Sequence, residues 1–239
     1  MAGHSHWAGI KHKKGRQDKL RSKIFSKISR EITVAAKHGS KDPDTNHRLR
    51  AAIEIAKDAN MPKENITRAI SKSENHKGTN FYNLRYEGFG PKKIALVIET
   101  LTDNKNRTAG NIRKNLQKFG GNLASNGSTT HFFENLGVIQ FSKDEISDEK
   151  ALDIAATVGA KDCLNHKDFH EIITIKEDFY RVKNQIQKLI KKFNYSGIEW
   201  RPQNKVSINK EDEKEMLNLL ELLEEDDDVQ KIFHNYKLV

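Results

Sequence analysis

The sequence predicts an α+β protein: an N-terminal three-helix domain followed by two ferredoxin-like α/β domains, one inserted into the other. Three observations carry this expectation. Apolar residues recur at helical spacing through the first third of the 239-residue chain. From Val138 to Arg201 strand-like runs and amphipathic stretches follow in the order β-α-β-β-α-β, the split-βαβ pattern. The tail from 204 reads β-α-β and complements the strands and helix of 82–134, so the middle unit is an insertion. The expected domains are 1–77, then 78–135 joined with 204–239, and 136–203 within that pair.

Residues 1–15 hold three glycines and no apolar period, and read as an extended arm. Leu20, Ile24, Ile28 and Ile32 then form one helical stripe, with Gly39 as its stop. Lys19, Lys23, Lys27, Arg30 and Lys37 fall largely on other faces. Asp42-Pro43-Asp44 is expected to open a second helix, with Leu49, Ile53 and Ala56 facing inward. Pro62 suits the first turn of a third helix carrying Ile66, Ala69 and Ile70. Strands are expected at Tyr82–Phe89, Ile94–Leu101 and Thr129–Glu134, and a helix at Asn106–Phe119. The inserted unit has strands at Val138–Phe141, around Cys163-Leu164, at His170–Lys176 and at Ile198–Arg201. Its helices follow Ser147 and span Asp178–Phe193. The tail supplies Val206–Ile208, a helix over Asp212–Leu223, and Val229–His234.

The net charge of +9 is not evenly spread. Residues 1–77 hold 18 Lys/Arg against 8 Asp/Glu, whereas 78–239 hold 24 against 25. Such asymmetry points to a polyanion partner for the first segment; the bland alternative is a solvated basic face. No apolar run approaches the ~20 residues of a membrane span. No apolar segment of ~7–15 residues marks a secretory signal. Residues 1–37 are basic and acid-poor, as a mitochondrial presequence is, yet they also read as structural. The lone Cys163 forms no internal disulfide and no thiolate zinc finger. The expectation is a soluble, cytoplasmic protein with no membrane partner.

The first candidates for nucleic-acid contact are His4, Ser5, His6, Trp7, Lys11, His12, Lys13, Lys14 and Arg16. Cations neutralise phosphates, and Trp or His stacks on an unpaired base. Lys23, Lys27 and Arg30 extend the cationic exterior along the first helix. Lys63 and Arg68 stand on the third, with Asn65 and Lys72, where a groove-reading face and an ordinary exposed face look alike. The alternatives for the arm are an unspecific basic tail, or Trp7 anchored on its own protein. His4, His6 and His12 are poor metal ligands beside so many cations, and no metal or cofactor is expected.

Tyr86-Glu87-Gly88-Phe89-Gly90-Pro91 lacks the spacing of a P-loop and reads as a turn or a backbone contact to RNA. Asp103, Asn104, Asn106, Arg107 and Thr108 read as a helix cap or a polar recognition loop. Glu224, Glu225, Asp226, Asp227 and Asp228 end a helix against its dipole, which suggests a magnesium site, a basic partner or a solvated turn. Cys163 with His166 or His170 is a remote nucleophile pair. No zincin, nucleophile-elbow, kinase or Walker pattern appears.

Several stretches resemble the YebC family. They begin with Met1-Ala-Gly-His-Ser, Trp7 and Ile10-Lys11-His12-Lys13. Asp18, Lys23-Ile24-Phe25, Arg30-Glu31-Ile32-Thr33, Arg48 to Ile53, Asn60-Met61-Pro62-Lys63 and Arg68-Ala69-Ile70 follow. The resemblance continues through Tyr86 to Pro91, Thr102-Asp103-Asn104, Asn106-Arg107-Thr108 and Gly120 to Leu123. It ends with Asp226 to Gln230 and His234-Asn235. It spans nearly the whole chain, and departs from the family at Ser40-Lys41, at His47 where proline is usual, and over Ala124 to Gly127. The resemblance implies one helical and two α/β domains. It also implies a regulator of gene expression, acting on DNA in transcription or, as other members do, in translation.

The resulting expectation is a non-enzymatic nucleic-acid-binding regulator, leaning to a ribosome-associated translation factor that touches rRNA through the basic arm. The alternative is a DNA-binding transcriptional regulator, and a remote one is an RNA-processing enzyme. No small-molecule substrate is expected, and the oligomeric state is left open.

Overall fold

The structure is a computed structural model that describes residues 14–74 and 80–238. Three helices come first: α1 (Lys14–His38), α2 (His47–Asp58) and α3 (Lys63–Lys72). Ile28, Ile32, Ala35 and Ala36 of α1 close on Leu49, Ala52 and Ala56 of α2 and on Ile66 and Ala69 of α3. The second helix starts later than Asp42-Pro43-Asp44 suggests. Its cap is Asn46, whose side chain accepts from the Leu49 N–H at 3.0 Å. The Asn46 amide also donates to the Ala35 and Ser40 carbonyls at 2.9 and 2.6 Å, so a tertiary tie to the end of α1 selects this cap. Asp42 instead accepts from the Asp44 N–H, a local Asx turn.

Two antiparallel sheets follow. The first chain segment gives β1 (Tyr82–Phe89), β2 (Ala95–Thr102), α4 (Lys105–Lys118) and β3 (Asn122–Ala124). The inserted unit gives β4 (Phe133–Ser142), α5 (Asp148–Val158), β5 (Asp162–Asn165), β6 (Phe169–Ile175), α6 (Phe179–Gln187) and β7 (Tyr195–Pro202). The tail gives β8 (Val206–Ile208), α7 (Lys210–Glu224), β9 (Val229–His234) and β10 (Tyr236–Leu238). The inserted sheet runs β5-β6-β4-β7, the ferredoxin-like order. The outer one runs β3-β1-β2-β9 and keeps the same spatial order, but the strand beside β3 is supplied by β1 from the start of the unit. β8 and β10 pair separately, in parallel.

The expected strand Thr129–Glu134 is mostly a short 3-10 turn, Thr130–Phe132, and only its last two residues are extended; they join the expected Val138–Phe141 in one strand, β4. Gly137, between the two expected strands, lies inside β4. A Cβ there would lie 2.6 Å from the Phe179 ring and 2.7 Å from Thr174, so glycine lets α6 close onto the sheet. The helix expected to reach Phe193 stops at Gln187, although Ile190 and Phe193 still enter the core from irregular chain.

The outer sheet packs Leu96 and Ile98 against Ile112 and Leu116 of α4 and Met216, Leu219 and Leu220 of α7. Its opposite face carries Ala95, Val97 and Phe233, which meet Phe133 and Trp200 of the inserted unit. Trp200 Nε1 donates to Glu99 at 3.1 Å across that junction. Among the described residues no helix is long and apolar enough to cross a membrane.

Candidate nucleic-acid interface

Lys23, Lys27 and Arg30 are spaced four and three residues apart, so they share one face of α1. That face meets the acidic run at the end of α7. Lys23 Nζ lies 3.5 Å from Glu225, and Arg30 Nη2 lies 2.9 Å from Asp228. Arg30 Nη1 also donates to the Asp227 carbonyl at 2.9 Å. Burial holds the Lys27 ammonium below the usual lysine value, with Glu224 opposing that shift. Burial likewise raises the Glu224 carboxyl, against the pull of Lys27 and Lys23. The carboxylates that offend the α7 dipole are thus compensated by cations of the same chain. Of the readings open for the acidic run, the basic partner is the one the geometry supplies, and that partner is α1.

Asp228 is the centre of this junction, with its side chain 3% exposed. It accepts from Thr108 Oγ1 and Arg107 Nη2, each at 2.7 Å, and from Thr102 Oγ1 at 3.1 Å. Burial alone would raise its carboxyl. Hydrogen bonds from Arg107 and Thr108 and the charge of Arg30 outweigh that, and hold it below the usual carboxylate range. Asn104 caps α4 by accepting from the Arg107 N–H at 3.1 Å, so the capping reading of this motif holds. Between α1, α4 and the acidic turn lies a crevice of about 530 Å³, lined by Arg30, Arg107 and Lys114 together with Asp103, Glu225 and Asp226, Asp103 being paired with Arg107 at 2.8 Å.

The remaining candidates fall elsewhere. His4, Ser5, His6, Trp7, Lys11, His12 and Lys13 lie outside the described residues. Lys14 and Arg16 belong to the first turn of α1, and their side chains lie outside the described set. Lys63 and Arg68 are exposed on α3, as is Lys72, and none of the three has an ion partner among the described residues. At ~100° per residue Lys63 stands about 140° round the helix from Arg68, so the two flank one solvent face instead of forming a single row.

Sequence reasoning found the α4 helix but missed its basic surface. Residues 105–118 carry five Lys/Arg and no carboxylate. The signal was local: summed over 78–239, the acids of α7 and its turn cancel it. Arg113, Lys114 and Lys118 are exposed and have no ion pair among the described residues.

Other motifs have structural roles. Glu87 is fully buried on β1 and accepts from the N–H groups of Gly127, Thr129 and Thr130 at 2.9, 2.7 and 3.0 Å. Burial opposes its ionisation, but these donors hold it below the usual value and pin the 127–130 segment to the sheet. Gly121 is needed for close approach, since a Cβ would lie 2.2 Å from the Phe89 carbonyl. Burial raises the Cys163 thiol, so the thiolate is disfavoured. His170 is fully buried, with Nε2 3.0 Å from the Ile146 carbonyl and Nδ1 2.8 Å from the Asn165 side chain. Among the described residues no group of three or more His, Cys, Asp or Glu is placed to hold a metal ion.

Residues 5–76 match the TACO1/YebC protein N-terminal domain, and residues 81–236 match the TACO1/YebC second and third domain. A probable transcriptional regulatory protein of Pelagibacter ubique is 54% identical over 235 residues, covering 98% of each chain. One of Zymomonas mobilis is 46% identical over 238 residues, covering 100% of this chain and 96% of its own. The crystal structure of a conserved hypothetical protein from Aquifex aeolicus superimposes with a TM-score of 0.82 at 42% identity, over 98% of both chains. With matches this long across every domain, the chain belongs to the TACO1/YebC family.

Proposed function

We infer that this protein is a non-enzymatic regulator of gene expression that binds nucleic acid, with structured RNA of the ribosome as the favoured target. The observation that supports the reading is the segregation of charge along the chain. Residues 1–40 are net +8, and among the described residues of that stretch the acidic turn of α7 faces Lys23, Lys27 and Arg30. In sequence, Lys11, Lys13 and, at the start of α1, Lys14 and Arg16 accompany Trp7 and three histidines, a composition suited to phosphate neutralisation and base stacking on irregular RNA. Lys63 and Arg68 add exposed cations on α3. A second reading, binding of duplex DNA in transcription, is favoured by the names of the Pelagibacter and Zymomonas relatives.

The test is co-sedimentation of the full-length protein with ribosomes in rising salt, with excess duplex DNA as competitor. Retention despite the DNA, lost on removal of residues 1–16, is the expected result. If ~6–8 phosphates are neutralised, the log–log salt slope should be about −4 to −7. Stripping by duplex DNA at modest salt would move the function to transcription, and a flat salt response would sink the electrostatic reading altogether.

A further inference from the structure

Helix α4 carries two parallel rows on its solvent side. Asn106, Gly110, Arg113 and Gln117 recur at helical spacing along one line, and Arg107, Asn111, Lys114 and Lys118 along the next; all eight are exposed. The second row borders the crevice: Arg107 binds Asp228, and Asn111 donates to Asp226 at 3.0 Å. The first row faces away from the acidic turn.

Gly110 is the anomaly in the first row. Glycine inside a helix weakens it relative to alanine, and here no packing reason exists. A Cβ at Gly110 would meet nothing within 4 Å, whereas Cβ atoms at Gly121 and Gly137 would collide with their surroundings. The gap therefore serves nothing inside the described molecule. It leaves a shallow notch between Asn106 and Arg113, where another chain can approach the helix backbone.

We propose that the outer face of α4 is a second nucleic-acid contact, taking the phosphodiester backbone of single-stranded RNA across Gly110. The proposal rests on the nucleic-acid reading above and adds a site to it. Arg113, Lys114 and Lys118 supply charge without a competing carboxylate on the helix. The amides of Asn106 and Gln117 give a 2′-hydroxyl both donors and acceptors, which a DNA strand does not use. A duplex would bring its second strand toward Asp226 and Asp227 at the crevice edge, and like charges repel there. A single strand runs between the two rows, with Arg113 on one side and Lys114 and Lys118 on the other, and stays on the side away from the acidic turn.

The test measures binding of the full-length protein to a short unstructured fluorescent RNA, and to the same sequence as DNA, over a series of salt concentrations. R113A/K114A should weaken RNA binding about ten-fold and make the log–log slope shallower by about 1.4, from two contacts at ~0.7 each. G110Q should weaken binding without lowering the thermal midpoint, because glutamine is a better helix former. K188A/K191A, which removes two exposed lysines of the inserted unit, should change neither quantity. Wild-type affinity and slope in both α4 variants would overturn this site and leave the arm reading standing. Wild-type protein that binds no unstructured RNA but still co-sediments with ribosomes would overturn this site alone; failure in both would overturn the nucleic-acid reading as well. Equal binding of the DNA strand, with the same dependence on Arg113 and Lys114, would overturn the RNA assignment.

Discussion

In α1, Lys23, Lys27 and Arg30 share one face, and that face is closed by the run from Glu224 to Asp228. In α4, Arg113, Lys114 and Lys118 line the solvent side, and no carboxylate among the described residues pairs with them. Sequence composition treats the two helices alike, as basic amphipathic stretches. The difference comes from what folds against them. The acidic turn stands more than 190 residues after Lys23 in the chain, and only the fold brings the two together. A cation held against a buried carboxylate reports on stability; a cation left in water is available to a phosphate.

The contrast breaks first at Asp228. D228A removes the acceptor shared by Arg30, Arg107, Thr102 and Thr108, and leaves Arg107 with Asp103 alone and Arg30 with the Asp227 carbonyl alone. The cations left behind reach water and keep other partners, so the cost is that of the lost charged hydrogen bonds, about 1–3 kcal/mol, and the urea midpoint should fall clearly. A midpoint close to wild type would show that α1 is not held there. The pH dependence tests the same point. The carboxyls of Asp228 and Glu87 lie below their ordinary values of 3.8 and 4.5 in the folded protein. Their stabilisation is therefore present above those values and lost as the pH falls through them toward the folded values. Glu224 has the opposite sign, because its raised carboxyl is relieved by protonation. Urea midpoints should therefore drop on acidification in the wild type, and less so in E87Q.

Lys27 and Glu224 sharpen the comparison. Both are desolvated at the α1–α7 contact, and each is shifted toward its neutral form. Replacing such a pair by apolar side chains of similar volume is often neutral or stabilising by ~1–4 kcal/mol. K27M/E224M should therefore unfold at a urea concentration no lower than wild type. A large loss would mean that the pair is well solvated or better bonded than its surroundings allow.

Legibility in the sequence followed the range of the interactions. The stripe at Ile28 and Ile32, the cap at Asn104 and the alternation of Tyr82–Phe89 are local, and all were readable. The ferredoxin-like order of the inserted unit followed from element sequence alone. What failed needed a partner distant in the chain. Asn46 is chosen as a cap because Ala35 and Ser40 offer it carbonyls. Gly137 looks like a break until Phe179 is packed over it. β3 is only three residues long and is held by β1, so its own pattern is too short to mark it. For the candidate site, the charge excess was readable, but its internal neutralisation was not. The α4 surface was readable in a local window and was lost by averaging over the rest of the chain.

The smallest effect separates the two uses of charge most cleanly. Lys63 and Arg68 are exposed on α3, with no ion partner among the described residues, so K63A/R68A should leave stability within about 0.5 kcal/mol of wild type. If they touch phosphates, RNA affinity should fall a few-fold and the salt slope should become shallower by up to about 1.4. R30A should behave in reverse. Its guanidinium is committed to Asp228 and the Asp227 carbonyl, so unfolding should shift and the salt slope should stay near wild type. Equal loss of binding in both variants, with no change in the unfolding of R30A, would mean that the α1 junction opens when nucleic acid binds. The acidic turn would then be a competitor of the phosphates for Arg30, and α1 and α4 would differ only in which anion each holds in the unbound protein.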